Sequence, residues 1–364
     1  IEMKEKTWKR DFLRFAVGAS SQAPVDLDQK DWQWLLRFGV AQAIPGIIFN
    51  GMNKLRDMGV EIPEEILEKG ITGSMAIEKR NKKVNGTVMR LVQQFEADGF
   101  QCCLLKGQGN CLLYPNVYNR VPGDIDLWVL GKKSDAPDVQ PIISYVRKHK
   151  PGARAVYHHI DYGLYEGVEV EVHYRPSFMT TPLYNSRLQK WFTRQATAQM
   201  LNRVQLPGQE GTVAVPTTEF NAVYQLAHIY THLLNQGLVM RQIIDYYYVL
   251  LALEDRREVQ ETIKWLGLEK IAGAIMWLLQ RLFDMPEDKM LVEPDETAGR
   301  ILSKDLMSHG LGKGTASGQV WMQKNMKRLQ RDFRMVRYFP SECLWEPLFR
   351  LWHFFWRLTV GRNL

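Results

Sequence analysis

Gly123-Asp124-Ile125-Asp126-Leu127-Trp128-Val129 sets two carboxylates two residues apart inside an apolar run. Side chains alternate along a strand, so Asp124 and Asp126 are expected on one face while Ile125, Leu127 and Val129 pack into a core. Two neighbouring carboxylates repel unless a cation lies between them. Such a pair suits Mg²⁺, which takes one or two carboxylates and completes its shell with water and substrate phosphates. Leu105-Lys106-Gly107 and Arg120 lie just upstream. A lysine at a glycine turn and an arginine supply the positive charge that a triphosphate needs. The plainer reading is a strand leaving a turn with two solvated aspartates, and the flanking Lys-Gly and Arg weigh against it.

The elements that must position these residues follow from periodicity. Residues 1–100 read as an N-terminal helical region, with Trp8, Phe12 and Phe15, then Trp32, Leu35, Leu36 and Val40, at helical spacing. Pro63-Glu64-Glu65 opens a long polar helix ending near Asp98-Gly99. From 101 the pattern changes. Cys102–Leu105 is a short buried strand delivering Lys106, residues 108–114 suit a short helix, and 124–130 form the next strand. A helix at about 137–149 covers the sheet. Strands are expected at Ala153–His159 and Val168–His173, joined by 161–167, and a hairpin at Val204–Val215 around Pro207-Gly208. Residues 217–364 return to helices, beginning at the Thr217/Thr218 cap. The expected class is α+β: a small mixed sheet at 101–216 between two helical regions.

Bulk properties narrow the class without naming a partner. The 364 residues are 45% apolar and 24% charged, with 47 Lys/Arg against 40 Asp/Glu, a net charge of +7. That charge suits a phosphate-bearing ligand, a nucleic acid or an anionic surface alike. The four cysteines lack zinc or C-x-x-C spacing and read as reduced thiols, the basis for expecting a cytoplasmic protein. No apolar run is long enough for a transmembrane helix. Lys324, Lys327, Arg328, Arg331, Arg334 and Arg337 recur at helical spacing and read as a solvated face. The aromatic, arginine-dotted stretch 344–357 reads as a last helix packed on the domain, or as a contact for a membrane interface or partner. His309–Gly318 lacks the G-x-x-x-x-G-K-[ST] spacing of a phosphate loop. His228 and His232 match a metalloprotease helix, but Ile229 replaces the required glutamate.

The ordered set Leu105-Lys106-Gly107, Arg120, Gly123-Asp124-Ile125-Asp126-Leu127 and Glu171-Val172-His173-Tyr174-Arg175 resembles the nucleotidyltransferase superfamily. More narrowly, it is similar to the uncharacterised bacterial nucleotidyltransferases that pair L-K-G with R-x-x-G-D-I-D and a later acid-x-His. The resemblance spans roughly residues 80–255. It implies a polymerase-beta type of mixed sheet and transfer of a nucleoside monophosphate from a nucleoside triphosphate to a hydroxyl acceptor: a small molecule, a protein or a tRNA end. It also implies that Asp124 and Asp126 hold one or two Mg²⁺ ions and that Glu171 is the third acid, with Glu169 on the same face as runner-up. Lys106, Gly107 and Arg120 would handle phosphates, Arg120 either by clamping one or by pairing with Asp124. The serine usual in the first motif is missing, which shifts phosphate handling to Lys106 with Gln108 or Gly109. His173 would orient Glu171, contact the nucleotide, or be a satisfied core histidine. Asp245 pairs with Arg241 along one helix or faces the cleft. The rival readings are a catalytically degenerate nucleotide-binding module, a membrane- or partner-interaction module, and a metal-dependent phosphohydrolase.

Overall fold

The computed structural model describes residues 7–24, 27–131, 139–308 and 329–360. The loop at 309–318, the first part of the helix expected at 319–337, and Lys324, Lys327 and Arg328 lie outside the described residues. Three helices, α1 (Thr7–Val17), α2 (Gln29–Ala41) and α3 (Pro45–Asp57), precede the 34-residue α4 (Glu64–Ala97). α2 starts at a capping box in which Asp28 accepts from the Asp31 N–H and Asp31 answers it. Trp32 and Leu35 of its apolar stripe are buried, whereas Val40 is exposed.

The sheet region runs β1 (Phe100–Leu105), α5 (Gly107–Cys111), β2 (Ile125–Gly131), α6 (Val139–His149), β3 (His159–Tyr165), β4 (Val168–His173), α7 (Pro182–Leu201), β5 (Arg203–Val204) and β6 (Val213–Ala214). Six strands form one mixed sheet in the order β3-β4-β2-β1-β6-β5. β1 pairs antiparallel with β2 and β2 parallel with β4, so Asp126 stands opposite Leu105 on one side and Glu171 on the other. Two expectations are corrected here. The strand before β4 is His159–Tyr165 rather than Ala153–His159. Glu166 and Gly167, at φ 51° and 77°, close a two-residue hairpin turn of the kind that matches strand twist. The 20-residue α7, with Pro182 in its first turn, fills a stretch to which periodicity assigned no element.

Alternation gives the sheet two buried faces. Ile125, Leu127, Val129, Val170 and Val172 pack with α4 and α6 in one core. On the other face Trp128 stacks on Phe220, with ring centroids 5.7 Å apart, beneath α7 and α8 (Thr218–Asn235). That second core continues through α9 (Met240–Ala252), α10 (Arg257–Trp265), α11 (Glu269–Phe283) and α12 (Glu296–Ser308) and back into α1–α3. The helices before and after the sheet therefore share apolar packing. After 329–335, which is helical, the chain ends its described part in the helix Pro340–Val360. Phe349 stacks on Phe178 and meets Tyr157 edge-on, so this helix packs part of its aromatic surface on the sheet region. Among the described residues no helix is long and apolar enough to cross a membrane.

Candidate active site

The end of β1 lies beside the start of β2, and the C-terminal half of β4 pairs with that same start. The second sheet face, sealed by Trp128 further along, opens at Asp126 into a cleft of about 690 Å³. The cleft is bounded by the strand ends, by α8 and α9, and by the inner face of the helix Pro340–Val360. Of the residues singled out by sequence, Lys106, Gly107, Arg120, Asp124, Asp126, Glu171, His173 and Asp245 line it.

Asp126 is the centre of the arrangement. It is 3% exposed, and its Oδ1 accepts from Lys106 Nζ at 2.9 Å and lies 3.0 Å from His173 Nε2. Burial alone would raise this carboxyl; the Lys106 ammonium and His173 outweigh burial and hold it well below the usual range. His173 Nε2 also lies 3.3 Å from Glu171 Oε2, so the ring bridges the two acids. Burial pulls His173 down, but its bonds to Asp126 and Glu171 win, raising it to about 9. Glu171 is one-third exposed and also faces His159 Nδ1 at 3.5 Å. Candidate ligand atoms of Asp126, Glu171 and His173 all lie within 4.8 Å of one another. Asp124 precedes β2 rather than belonging to it, and lines the exposed side of the cleft. The Asp126 charge, followed by burial, raises its carboxyl.

Lys106 has φ 50° and ψ −140°, a conformation that costs a residue with a side chain about 1–3 kcal/mol. The strained turn between β1 and α5 aims its ammonium at Asp126 and at His228 Nε2, 3.3 Å away. Burial, then the adjacent Lys106 charge, hold His228 well below the ordinary imidazole range, so it accepts from the lysine as a neutral ring. His228 belongs to the pair that invited the zinc-helix comparison; its contact with Lys106, 122 residues away, has no local signal. A His228→Ala variant is expected to free Lys106 and weaken nucleotide binding roughly tenfold, as loss of an orienting partner does. Calorimetric titration with Mg²⁺–nucleotide checks it; unchanged affinity would show that Asp126 alone orients the lysine.

Several expectations shift in detail. Arg120 does not pair with Asp124. Its guanidinium meets both Asp245 oxygens at 2.8 Å, and Tyr114 donates to the same carboxylate at 2.6 Å. Asp245 accordingly pairs across 125 residues rather than with Arg241. Arg241 instead lies beside Gly123 and donates to the Val121 carbonyl, a cleft cation rather than the helix-pair partner its spacing predicts. Gln108 is buried and donates to Asn81 and Asn85, joining α5 to α4, and the Gly109 N–H donates to the Lys106 carbonyl. Neither of them lines the cleft. Glu169 is exposed opposite Leu164, two residues before the register position that faces Asp126.

A mixed sheet that delivers a lysine, an acid pair and a neighbouring-strand acid to one cleft between helices defines a protein of nucleotidyltransferase-like fold. The chain belongs to the family described as "Uncharacterised nucleotidyltransferase", whose model matches residues 28–284. Membership supports a nucleotidyl-transfer function. A solved structure similar to this chain is that of an antigenic nucleotidyltransferase-like protein from Paracoccidioides brasiliensis, at 17% identity and a TM-score of 0.33, covering 60% of this chain and 96% of that one. No curated protein matches the chain.

Proposed function

We propose that this protein is a Mg²⁺-dependent nucleotidyltransferase that moves a nucleoside monophosphate from a nucleoside triphosphate to a hydroxyl acceptor. The observation that carries the proposal is the register pair Asp126 and Glu171, bridged by His173 and faced by Lys106 in one cleft. The residues fit a divalent cation. Two carboxylates from adjacent strands offer oxygens at one point. Asp126 and Glu171 would hold the ion, with Asp124 at its open side. Bound there, Mg²⁺ supplies charge neutralisation on the phosphate oxygens during displacement.

The chain's own groups do the rest. His173 braces both acids, so neither carboxylate has to reorganise when charge develops nearby. Lys106, held by His228, is the point charge available to a phosphate oxygen. Arg241 adds a guanidinium on the Gly123 side, where Asp124 also lies. Arg120 is committed to Asp245 and holds the loop ahead of β2 in place. Glu171, the more exposed of the two strand acids, is positioned to accept the proton of the acceptor hydroxyl.

Incubation with each of the four ribonucleoside triphosphates, Mg²⁺ and a pool of hydroxyl acceptors is expected to release pyrophosphate. Release of inorganic phosphate instead would indicate a phosphohydrolase. Nucleotide binding without release of either would indicate a module that has lost turnover.

A further inference from the structure

The helix Pro340–Val360 turns a second apolar face away from the domain. Leu344, Leu348, Leu351, Phe355 and Leu358 recur at spacings of four and three on one face, and all are exposed, Leu351 at 57% and Phe355 at 56%. Trp345, Trp352 and Phe354 flank this line and are also exposed. At 100° per residue the charged Glu346, Arg350 and Arg357 fall on the opposite half. The apolar band runs about 21 Å along the helix and covers about half its circumference. The helix is not loosely placed. The Glu342 carboxylate on its inner side accepts from the Thr180 and Thr181 N–H groups at 2.6 and 3.1 Å. His353 accepts the Tyr157 N–H at 3.0 Å. The inner face is pinned by these polar contacts and by Phe349 and Trp356 against Phe178 and Tyr157, while the leucine-rich face is turned outward.

We propose that this face docks on an anionic membrane surface. The width of the band, its aromatic flanks and the exposed positive charge of residues 329–360 select that occupant. A helix-pairing seam is a narrow stripe flanked by charged residues that set the partner. Here the flanking positions hold tryptophans and a phenylalanine, the residues that settle at the boundary between headgroups and acyl chains. The exposed charges of this segment are of one sign. Among residues 329–360 the acids Asp332, Glu342 and Glu346 are all buried, while Arg334, Arg337 and Arg357 are exposed. Acidic headgroups would complement that exposed positive charge. Because Phe349 and His353 on the inner face line the cleft, docking would hold the cleft within about one helix diameter, roughly 10 Å, of the lipid.

Sedimentation of the full chain with vesicles tests this, using phosphatidylcholine alone and phosphatidylcholine containing phosphatidylglycerol. The expected result is binding to the anionic vesicles only, weakened by salt. Leu351→Glu with Phe355→Glu should lower that binding at least about tenfold, with thermal unfolding by circular dichroism unchanged because both side chains are exposed. Arg334→Glu with Arg337→Glu should lower it several-fold and keeps the test valid if the first variant misfolds. Absence of binding to either vesicle, equal binding to both, or a solution dimer that the Leu351/Phe355 variant converts to monomer would each overturn the proposal.

Discussion

Asp126→Asn is expected to abolish metal-dependent nucleotide binding and to lower turnover by at least about 10³-fold. This residue joins both cationic partners of the site to the strand acids. Its carboxylate takes Lys106, faces His173, and lies in register with Glu171. The amide keeps the shape and removes the charge, so the lysine ammonium and the His173 ring lose their shared counter-ion. Calorimetric titration of each ribonucleoside triphosphate with Mg²⁺ reads binding, and pyrophosphate release reads turnover. Glu169→Gln is the matched control: an acid on β4, the strand of Glu171, exposed, two residues out of register with Asp126, and expected to leave both readouts unchanged. Wild-type-like titration by Asp126→Asn would sink the assignment of the metal to this carboxylate.

Much of this site was legible because period-two alternation is a local property. Asp126, Glu171 and His173 are brought together by strands whose apolar residues announce their faces. Which of two acids on one face meets a neighbouring strand is a matter of register, and register depends on pairing that alternation does not encode. Glu169 and Glu171 were therefore equivalent in pattern and are separated only by the β2–β4 ladder. Charge pairing failed for a related reason. Arg241 and Asp245 are four apart on α9, a spacing that invites a local pair, yet Asp245 is claimed by Arg120 from a distant loop. The helix α7 escaped notice because Leu183 and Leu201 lie exposed among its polar residues, blurring the stripe that Leu188, Trp191, Phe192 and Met200 form. The ends of β3 were misplaced because Glu166 adopts a backbone conformation unusual for a residue with a side chain, so its turn carried only one glycine as a signal.

Asp245→Asn is expected to destabilise the fold by about 3–5 kcal/mol at neutral pH, the cost of leaving a buried charge without its partner. Arg120 and Asp245 are each about 5–6% exposed and share two hydrogen bonds of 2.8 Å. Burial by itself would raise the Asp245 carboxyl; the Arg120 guanidinium, with Tyr114 also donating to it, outweighs burial and holds it below the ordinary value. A depressed native pKa sets the sign of the pH dependence. The contribution is complete above the unfolded-state value, about 3.9, and is lost as pH falls through the lower native value, because the unfolded chain then binds the proton more readily. The gap between wild type and Asp245→Asn should therefore be widest near neutrality and close in strong acid. Replacing both partners, as Arg120→Met with Asp245→Leu, should recover part of the loss, since no charge is then stranded, although the Tyr114 hydroxyl loses its acceptor. Denaturant unfolding across pH measures all three. A single-variant loss within about 0.5 kcal/mol, as for an ordinary surface change, would mean that water reaches the pair. Because the pair anchors the loop that leads into Asp124, the same variant should also lower nucleotide affinity under conditions where it remains folded, through misplacement of the site rather than loss of a contact to the ligand.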